Sequence, residues 1–409
     1  MRKSFLYALA AVALLSSCSQ DDSAPAGDKG DKMEIKIGVT QENEITTRGT
    51  GTVGSTDDAL NNWDGQEVYV CMFKKGTVEF AKEDITNNVL FDHKTALVTP
   101  SGVNSGTALR SDKAVKYYPT QGNFDFWGFH LDDAYDGSDP TVVDNGDGTE
   151  SLVVDFAIDG TQDIMAAKAI PNEDEVNTYL AGDDSRVYSA FAARKGLASG
   201  NPGTLQPTLK FKHLLTRLSF EVKGGEAAVC EGGTKEIFVD EIKVKSLTTG
   251  EFIMAYTGAE RSQISFDEDS EDFLTLKQRP SASMNEDLVD LTPVTPSVDD
   301  AGEPAFTPVG EALLVAPADE DGYEISVILR QNVEVDTDGN KEDKTYEYKA
   351  FITNKKNDKP ENQDKAFEAG KSYNVKITIW GLSEITITTA LEKWEDGGNI
   401  DLPIEDEQI

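Results

Sequence analysis

Ser372-Tyr373-Asn374-Val375-Lys376-Ile377-Thr378-Ile379 puts Tyr373, Val375, Ile377 and Ile379 on one side of an extended chain and polar groups on the other. A period of two is the mark of a strand with one buried face; a helix would scatter those four residues around its circumference. The pattern recurs outward from this stretch. Ile385, Ile387, Thr389 and Leu391 repeat it beyond a short turn, and upstream Tyr323, Ile325, Val327 and Leu329 form one row and Tyr346, Tyr348, Ala350 and Ile352 another. In the first half, strands are expected at 68–73, 124–129 and 152–158, with Asn145-Gly146-Asp147-Gly148 as a hairpin turn. No helical stripe of three or more turns is present, and short helical turns are expected only at 61–63 and 188–194. Many short alternating segments with turn residues between them predict an all-β, sandwich-type fold.

The breaker cluster Ala198-Ser199-Gly200-Asn201-Pro202-Gly203-Thr204 suggests a boundary between two halves of similar length. Just beyond it, Leu209, Phe211 and His213 keep one phase while Leu218, Phe220 and Val222 keep the other. That change predicts a break or bulge near 214–217. The polar, proline-containing stretch 281–308 is expected to be a surface loop.

The 409 residues carry 38 Lys and Arg against 74 Asp and Glu, a formal charge of −36. Nucleic acid is excluded as a partner, because that binding needs a basic face to neutralise phosphates. Three histidines and three cysteines leave little material for metal or thiol chemistry. At the other end, Arg2 and Lys3 precede an apolar run from 5 to 15 that is too short to span a bilayer, which marks a signal peptide over 1–17. It finishes in Leu15-Ser16-Ser17-Cys18, which resembles a bacterial lipobox and makes Cys18 the expected lipidation site. A polar tether, 19–32, leads to Met33-Glu34-Ile35-Lys36-Ile37-Gly38-Val39, where Ile35, Ile37 and Val39 alternate as in a half-buried strand. A second polar stretch containing Arg48-Gly49 isolates that strand from the body of the chain.

Other motifs lead to no chemistry. Gly370-Lys371-Ser372 lacks the earlier glycine of a phosphate-binding loop and is expected to be a turn into the strand at Tyr373. Asp336-Thr337-Asp338-Gly339-Asn340 lacks the spaced acids of an EF-hand and is expected to be a hairpin turn, with adventitious calcium as the alternative. His93, His130 and His213 have no acids or each other at ligand spacing. Cys71 and Cys230 are expected to be reduced, Cys71 as a small buried hydrophobe. Catalytic, cofactor and metal residues are therefore expected to be absent, and the chain is not expected to be an enzyme.

A lipobox, an isolated first strand, an arginine in the following loop and two β-rich halves together resemble the fimbrillin family of Bacteroidales pilus proteins. Asp163-Ile164-Met165, Phe211-Lys212-His213 and the closing segments at 370–379 and 385–394 resemble its recurring pieces. The resemblance implies two transthyretin-like β-sandwich domains in tandem, here 49–205 and 206–409, after a lipidated segment 18–48. It also implies export as an outer-membrane lipoprotein, cleavage at Arg48-Gly49 by an arginine-specific protease, and loss of the strand bearing Ile35, Ile37 and Val39. Identical or related subunits then join when a terminal strand fills the vacated groove, giving a fimbria that mediates adhesion at the cell surface. For the donated strand, Ile385, Ile387, Thr389 and Leu391 are the candidates, with Ile400, Leu402 and Ile404 beyond the Gly397-Gly398 hinge. The ordinary alternative makes 385–391 the last strand of its own domain. The competing function is a tip or anchor subunit, or a non-polymerising surface lipoprotein, that binds a glycan or host protein. Trp380 would then be the exposed aromatic, with Trp63, Trp127 and Trp394 in the core.

Overall fold

The computed structural model describes residues 33–35, 37–41, 67–78, 89–98, 107–109, 117–135, 137–200, 204–280, 288–334, 341–354 and 366–392. Cys18, Arg48, Gly49, Trp63, Trp394, Ile400, Leu402 and Ile404, and the expected turns at 61–63 and 336–340, lie outside the described residues.

In the first half the strands are β1 (Gly38–Gln41), β2 (Glu67–Lys74), β3 (Val89–Val98), β4 (Thr107–Leu109), β5 (Phe124–His130), β6 (Thr141–Asp144), β7 (Glu150–Ala157) and β8 (Met165–Lys168). Helices α1 (Glu173–Leu180) and α2 (Ala190–Ala198) follow, then β9 (Thr208–His213). β1, β4, β3, β2, β5, β8 and β9 close in that order into a barrel. Its interior holds Val70, Met72, Phe124, Phe126, Met165, Leu209 and Phe211. The alternate residues Cys71, Phe73, Trp127 and Phe129 point outward into a second, larger core. β2 and β5 are thus buried on both faces, which is why Val70-Cys71-Met72-Phe73 reads as a continuous apolar run instead of an alternation.

Two helices cover one end of the barrel. The Asn172 side chain accepts from the Asp174 and Glu175 amides, and three acids in the first turn favour the start of α1. Val176 and Leu180, one turn apart, are its buried contacts. α2 starts at the Ser189 cap and extends past the expected short turn to Ala198.

The second half contributes β10 (Thr216–Gly224), β11 (Ile237–Leu247), β12 (Thr249–Tyr256), β13 (Ile264–Phe266) and β14 (Glu271–Thr275). Next come the short β15 (Lys277–Gln278), β16 (Val289–Asp290), β17 (Thr307–Pro308) and β18 (Leu313–Val315). Four long strands finish the series: β19 (Tyr323–Glu334), β20 (Lys341–Ile352), β21 (Ser372–Gly381) and β22 (Glu384–Glu392). One sheet runs β17-β10-β21-β22 with β18 also on β10, a second β14-β11-β19-β20, and a third β13-β12-β7-β6. Their inner faces share the larger core, where Leu218, Phe220, Val244, Ile325, Val327, Val375 and Ile377 are buried.

The architecture is all-β; Tyr323, Ile325, Val327 and Leu329 and Tyr373, Val375, Ile377 and Ile379 are core-facing rows, whereas in the row from Tyr346 to Ile352, Ile352 is buried, Tyr348 and Ala350 are half-buried and Tyr346 is exposed. The sheets nevertheless cross the boundary expected after residue 205. β9 pairs with β8 and β1 and so completes the first barrel. β12 lies antiparallel to β7 along seven residue pairs, with aromatic contacts Phe129–Phe252 at 5.4 Å and Trp127–Tyr256 at 4.7 Å behind it. The phase change near 214–217 marks the handover between cores: Leu209 and Phe211 face the barrel interior, whereas Leu215, Leu218, Phe220 and Val222 enter the larger core. The stretch 281–308 is also tied down where it is described. β17 pairs with β10, and Val294 exchanges two backbone hydrogen bonds with Val239, at 2.8 and 3.0 Å.

Candidate functional site at the inserted first strand

Ile35 and Ile37 are each 92% removed from solvent, inside the barrel core that contains Val70, Phe126, Leu209 and Phe211. Period-2 spacing sends both side chains the same way, as the sequence predicts. Backbone contacts hold the segment at both ends. Glu34 bridges to Tyr117, and the Tyr118 amide donates to the Met33 carbonyl at 2.9 Å. Further on, Gly38–Gln41 lies parallel to β9, from Thr208 to Phe211, while Gly38 and Val39 pair antiparallel with Ala108 and Thr107 of β4. β1 is therefore a stave between two strands that do not otherwise pair with each other.

A polar clasp supplements this ladder. The Tyr118 hydroxyl donates to Gln206 Oε1 at 3.1 Å, and Gln206 Nε2 donates to the Glu34 carbonyl at 3.2 Å. Burial pushes the Tyr118 hydroxyl pKa well above its ordinary value, with the neighbouring Tyr188 adding to the rise, so the donor stays protonated at any physiological pH. Phe126 packs edge-on to both Tyr118 and Tyr188. Gly128 lets β9 approach: a β-carbon there would lie 2.7 Å from Leu209 Cδ1 and 2.8 Å from Phe211 Cζ. The alternation of the first strand was readable from the sequence; Tyr118, Gln206 and Gly128, far from it in the chain and outside any periodic row, were not.

At the other end, β22 pairs with β21 from Ser372–Glu392 to Gly381–Glu384. Ile385 is buried, Ile387 and Thr389 are half-buried, and Leu391 pairs with Tyr373. The Thr389 hydroxyl donates to the Thr353 carbonyl at 2.6 Å. Among the described residues the segment occupies the edge of its own sheet, with a backbone ladder to β21 and the Thr389–Thr353 bond away from it.

The remaining candidates fall into place as packing. Trp127 is buried, whereas Trp380 is half exposed with its ring against Gly225. Cys71 and Cys230 are buried thiols, and burial raises the Cys230 pKa. His213 is a buried structural residue, with Nδ1 2.9 Å from Asp163 Oδ1 and both side chains out of solvent. Fifty positions separate the pair in sequence, and only the β8–β9 pairing brings them together. Among the described residues no group of three or more His, Cys, Asp and Glu could hold a metal ion.

A β-barrel completed by a strand from far upstream, joined to sheets shared between the two halves of the chain, defines a strand-complemented all-β protein. Residues 47–394 match the fimbrillin-like family, and the chain belongs to that family. No curated protein matches it. Among solved structures, a candidate cell adhesion protein from Bacteroides uniformis shares 12% identity, with 89% of this chain and 99% of that one covered at a TM-score of 0.42. One from Parabacteroides distasonis shares 10% identity, with coverage of 90% and 98% and a TM-score of 0.43. The fimbrial anchor protein Mfa2 from Porphyromonas gingivalis shares 11% identity, with coverage of 88% and 99% and a TM-score of 0.31.

Proposed function

We propose that the protein is a structural subunit of a cell-surface fimbria, built by strand replacement at the β4–β9 seam. The observation that carries this reading is the inserted segment 33–41, which contributes two buried isoleucines and backbone pairing to a barrel it enters from outside the family-matched span. In this reading residues 1–17 direct export, Cys18 is acylated and anchors the precursor in the outer membrane, and an arginine-specific protease cuts Arg48-Gly49. Release of the inserted strand leaves β9 and β4 with unpaired main-chain groups and an apolar slot, the two requirements for β-strand addition. A strand from an identical or related subunit then fills the slot. The assembled fibre presents its exposed loops for adhesion.

The donor is the segment from Ile385 onward. Among the described residues β22 has one backbone ladder, so it can leave with loss of that ladder and the Thr389–Thr353 bond, whereas β21 would lose two ladders. If β22 instead stays on β21, the chain serves as a terminal or anchoring subunit, and Ile400, Leu402 and Ile404 remain the candidate donor positions.

The test is N-terminal sequencing of subunits from assembled fibres together with an Arg48→Ala variant. Wild-type subunits should begin at Gly49, and the variant should accumulate as unassembled precursor. Fibres of wild-type chains that begin at Cys18, or a variant that assembles normally, would refute strand release.

A further inference from the structure

A cleft of about 780 Å³ opens between the outer face of β8–β9 and the turn that follows β12. Five cations line it, Lys75, Lys168, Lys210, Lys212 and Arg261, on a chain whose formal charge is −36. Several lysines and arginines elsewhere sit against acids, as in Lys243–Glu241, Lys277–Asp159 and Arg330–Asp240. Lys168 and Lys210 have no such ion pair among the described residues. Lys168 instead stands over the Trp127 ring at 4.4 Å and the Tyr256 ring at 5.2 Å; burial lowers its pKa and Lys75 adds to the fall, while Asp125 and Glu260 oppose it. Gathering like charges on one face of a strand pair is unfavourable without a counter-ion. Asp125 and Glu260 offset part of this charge at Lys168, but the five cations still outnumber the four acids of the lining.

The other groups in the cleft narrow the ligand. Asp125, Glu175, Asp184 and Glu260 also line it, so a polyanion would be repelled from part of its length. Carboxylates accept well from hydroxyls, however, and two of these are already oriented by backbone donors, Asp125 by the Gly76 amide and Glu175 by the Leu205 amide. β8 and β9 already pair with each other at Met165–His213 and Ala166–Lys212, which leaves a strand-adding peptide only the short open ends of these two strands. What fits cations and carboxylates in a bounded cleft is a molecule with one acidic group and many hydroxyls. We propose that this cleft binds an acidic saccharide of the sialic or uronic acid class, its carboxylate between Lys168 and Lys210 and its hydroxyls on the rim acids. Gln206 and Thr208 belong both to the cleft and to the seat of the first strand, so the binding assigned is that of the uncleaved chain.

Calorimetric titration of the purified full chain with sialyllactose, digalacturonate, lactose, inorganic phosphate and a glutamate tetrapeptide tests this assignment. At least one acidic saccharide should bind at one site per chain, about tenfold or more tighter than lactose or phosphate, with affinity falling as salt rises. Lys168→Gln and the more exposed Lys210→Gln should each weaken binding by about fivefold or more while leaving the melting temperature in place. Lys376→Gln, outside the cleft, should change nothing. Absence of binding by both acidic saccharides at millimolar concentration, equal affinity for phosphate, preference for the peptide, or full binding by a folded Lys210→Gln would each overturn it.

Discussion

Truncating the two inward isoleucines of the inserted strand, Ile35→Ala with Ile37→Ala, should loosen that strand while leaving the larger core intact. Each side chain is 92% buried. An isoleucine cut to alanine in a core costs about 2–5 kcal/mol, and because these two share one slot their effects fall short of the sum. A combined loss of about 3 kcal/mol in the hold on the strand raises the population of its open state by roughly 10²-fold, since each 1.4 kcal/mol is tenfold. Amide hydrogen exchange followed by mass spectrometry resolves this opening. Peptides covering 33–41 and β9 should exchange faster by about that factor, and β11, buried in the larger core, should exchange as in the wild type. Unchanged protection of β9 would mean that the strand does not shield it. Equal loss of protection everywhere would mean that β1 is an inseparable part of the fold, and strand replacement would then be untenable.

Cys18→Ser should abolish incorporation of labelled palmitate and leave an uncleaved signal sequence; persistent labelling refutes the lipid site. Deleting 384–409 should yield a folded monomer that no longer forms ladders on a semi-denaturing gel, whereas an aggregated product assigns β22 to its own sheet. Gly128→Ala should lower stability by about 1–3 kcal/mol in denaturant titration, because its methyl group would overlap Leu209 and Phe211. Burial raises the Asp132 pKa, an effect that the nearby His130 opposes and Asp133 and Asp163 reinforce. The folded state therefore holds that proton to higher pH than the unfolded chain, and stability falls as pH rises through the raised value. Asp132→Asn should raise the melting temperature at neutral pH and lose its advantage below the ordinary carboxylate range, with asparagine suited to the φ of +51° there. An equal gain at both pH values would remove the charge from the explanation.

The strands that alternate, from Tyr323 to Leu391, were legible because each has one face on a core and the other toward solvent. β2 and β5 were legible as strands but not in their role, since contact with two cores erases the alternation that would show which side faces which. α1 was missed because it presents two apolar positions, Val176 and Leu180, below the three turns a periodic stripe needs. Its local signal, Asn172 followed three residues later by Glu175, was present at the cap. The breaker cluster at 198–204 does end a helix, but the next strand pairs backward, so a break in local structure and a break between sheets fall at different places. His213 with Asp163, 50 residues apart, and the lysine cleft both depend on the β8–β9 pairing, which joins Met165 to His213 and Ala166 to Lys212 and which no local pattern encodes.

The parallel pairing of β1 with β9 also orders events in time. Gly38 meets Thr208, which is 208 − 38 = 170 positions later in the chain. A polypeptide emerging N-terminus first exposes the β1 segment long before its partner exists, and closing so long a loop is among the slowest contacts to form. The last stave to enter a finished barrel leaves behind neighbours that were shaped without it. An element that docks last can be withdrawn with little disturbance to what folded earlier, which is what the proposed strand replacement requires of β1.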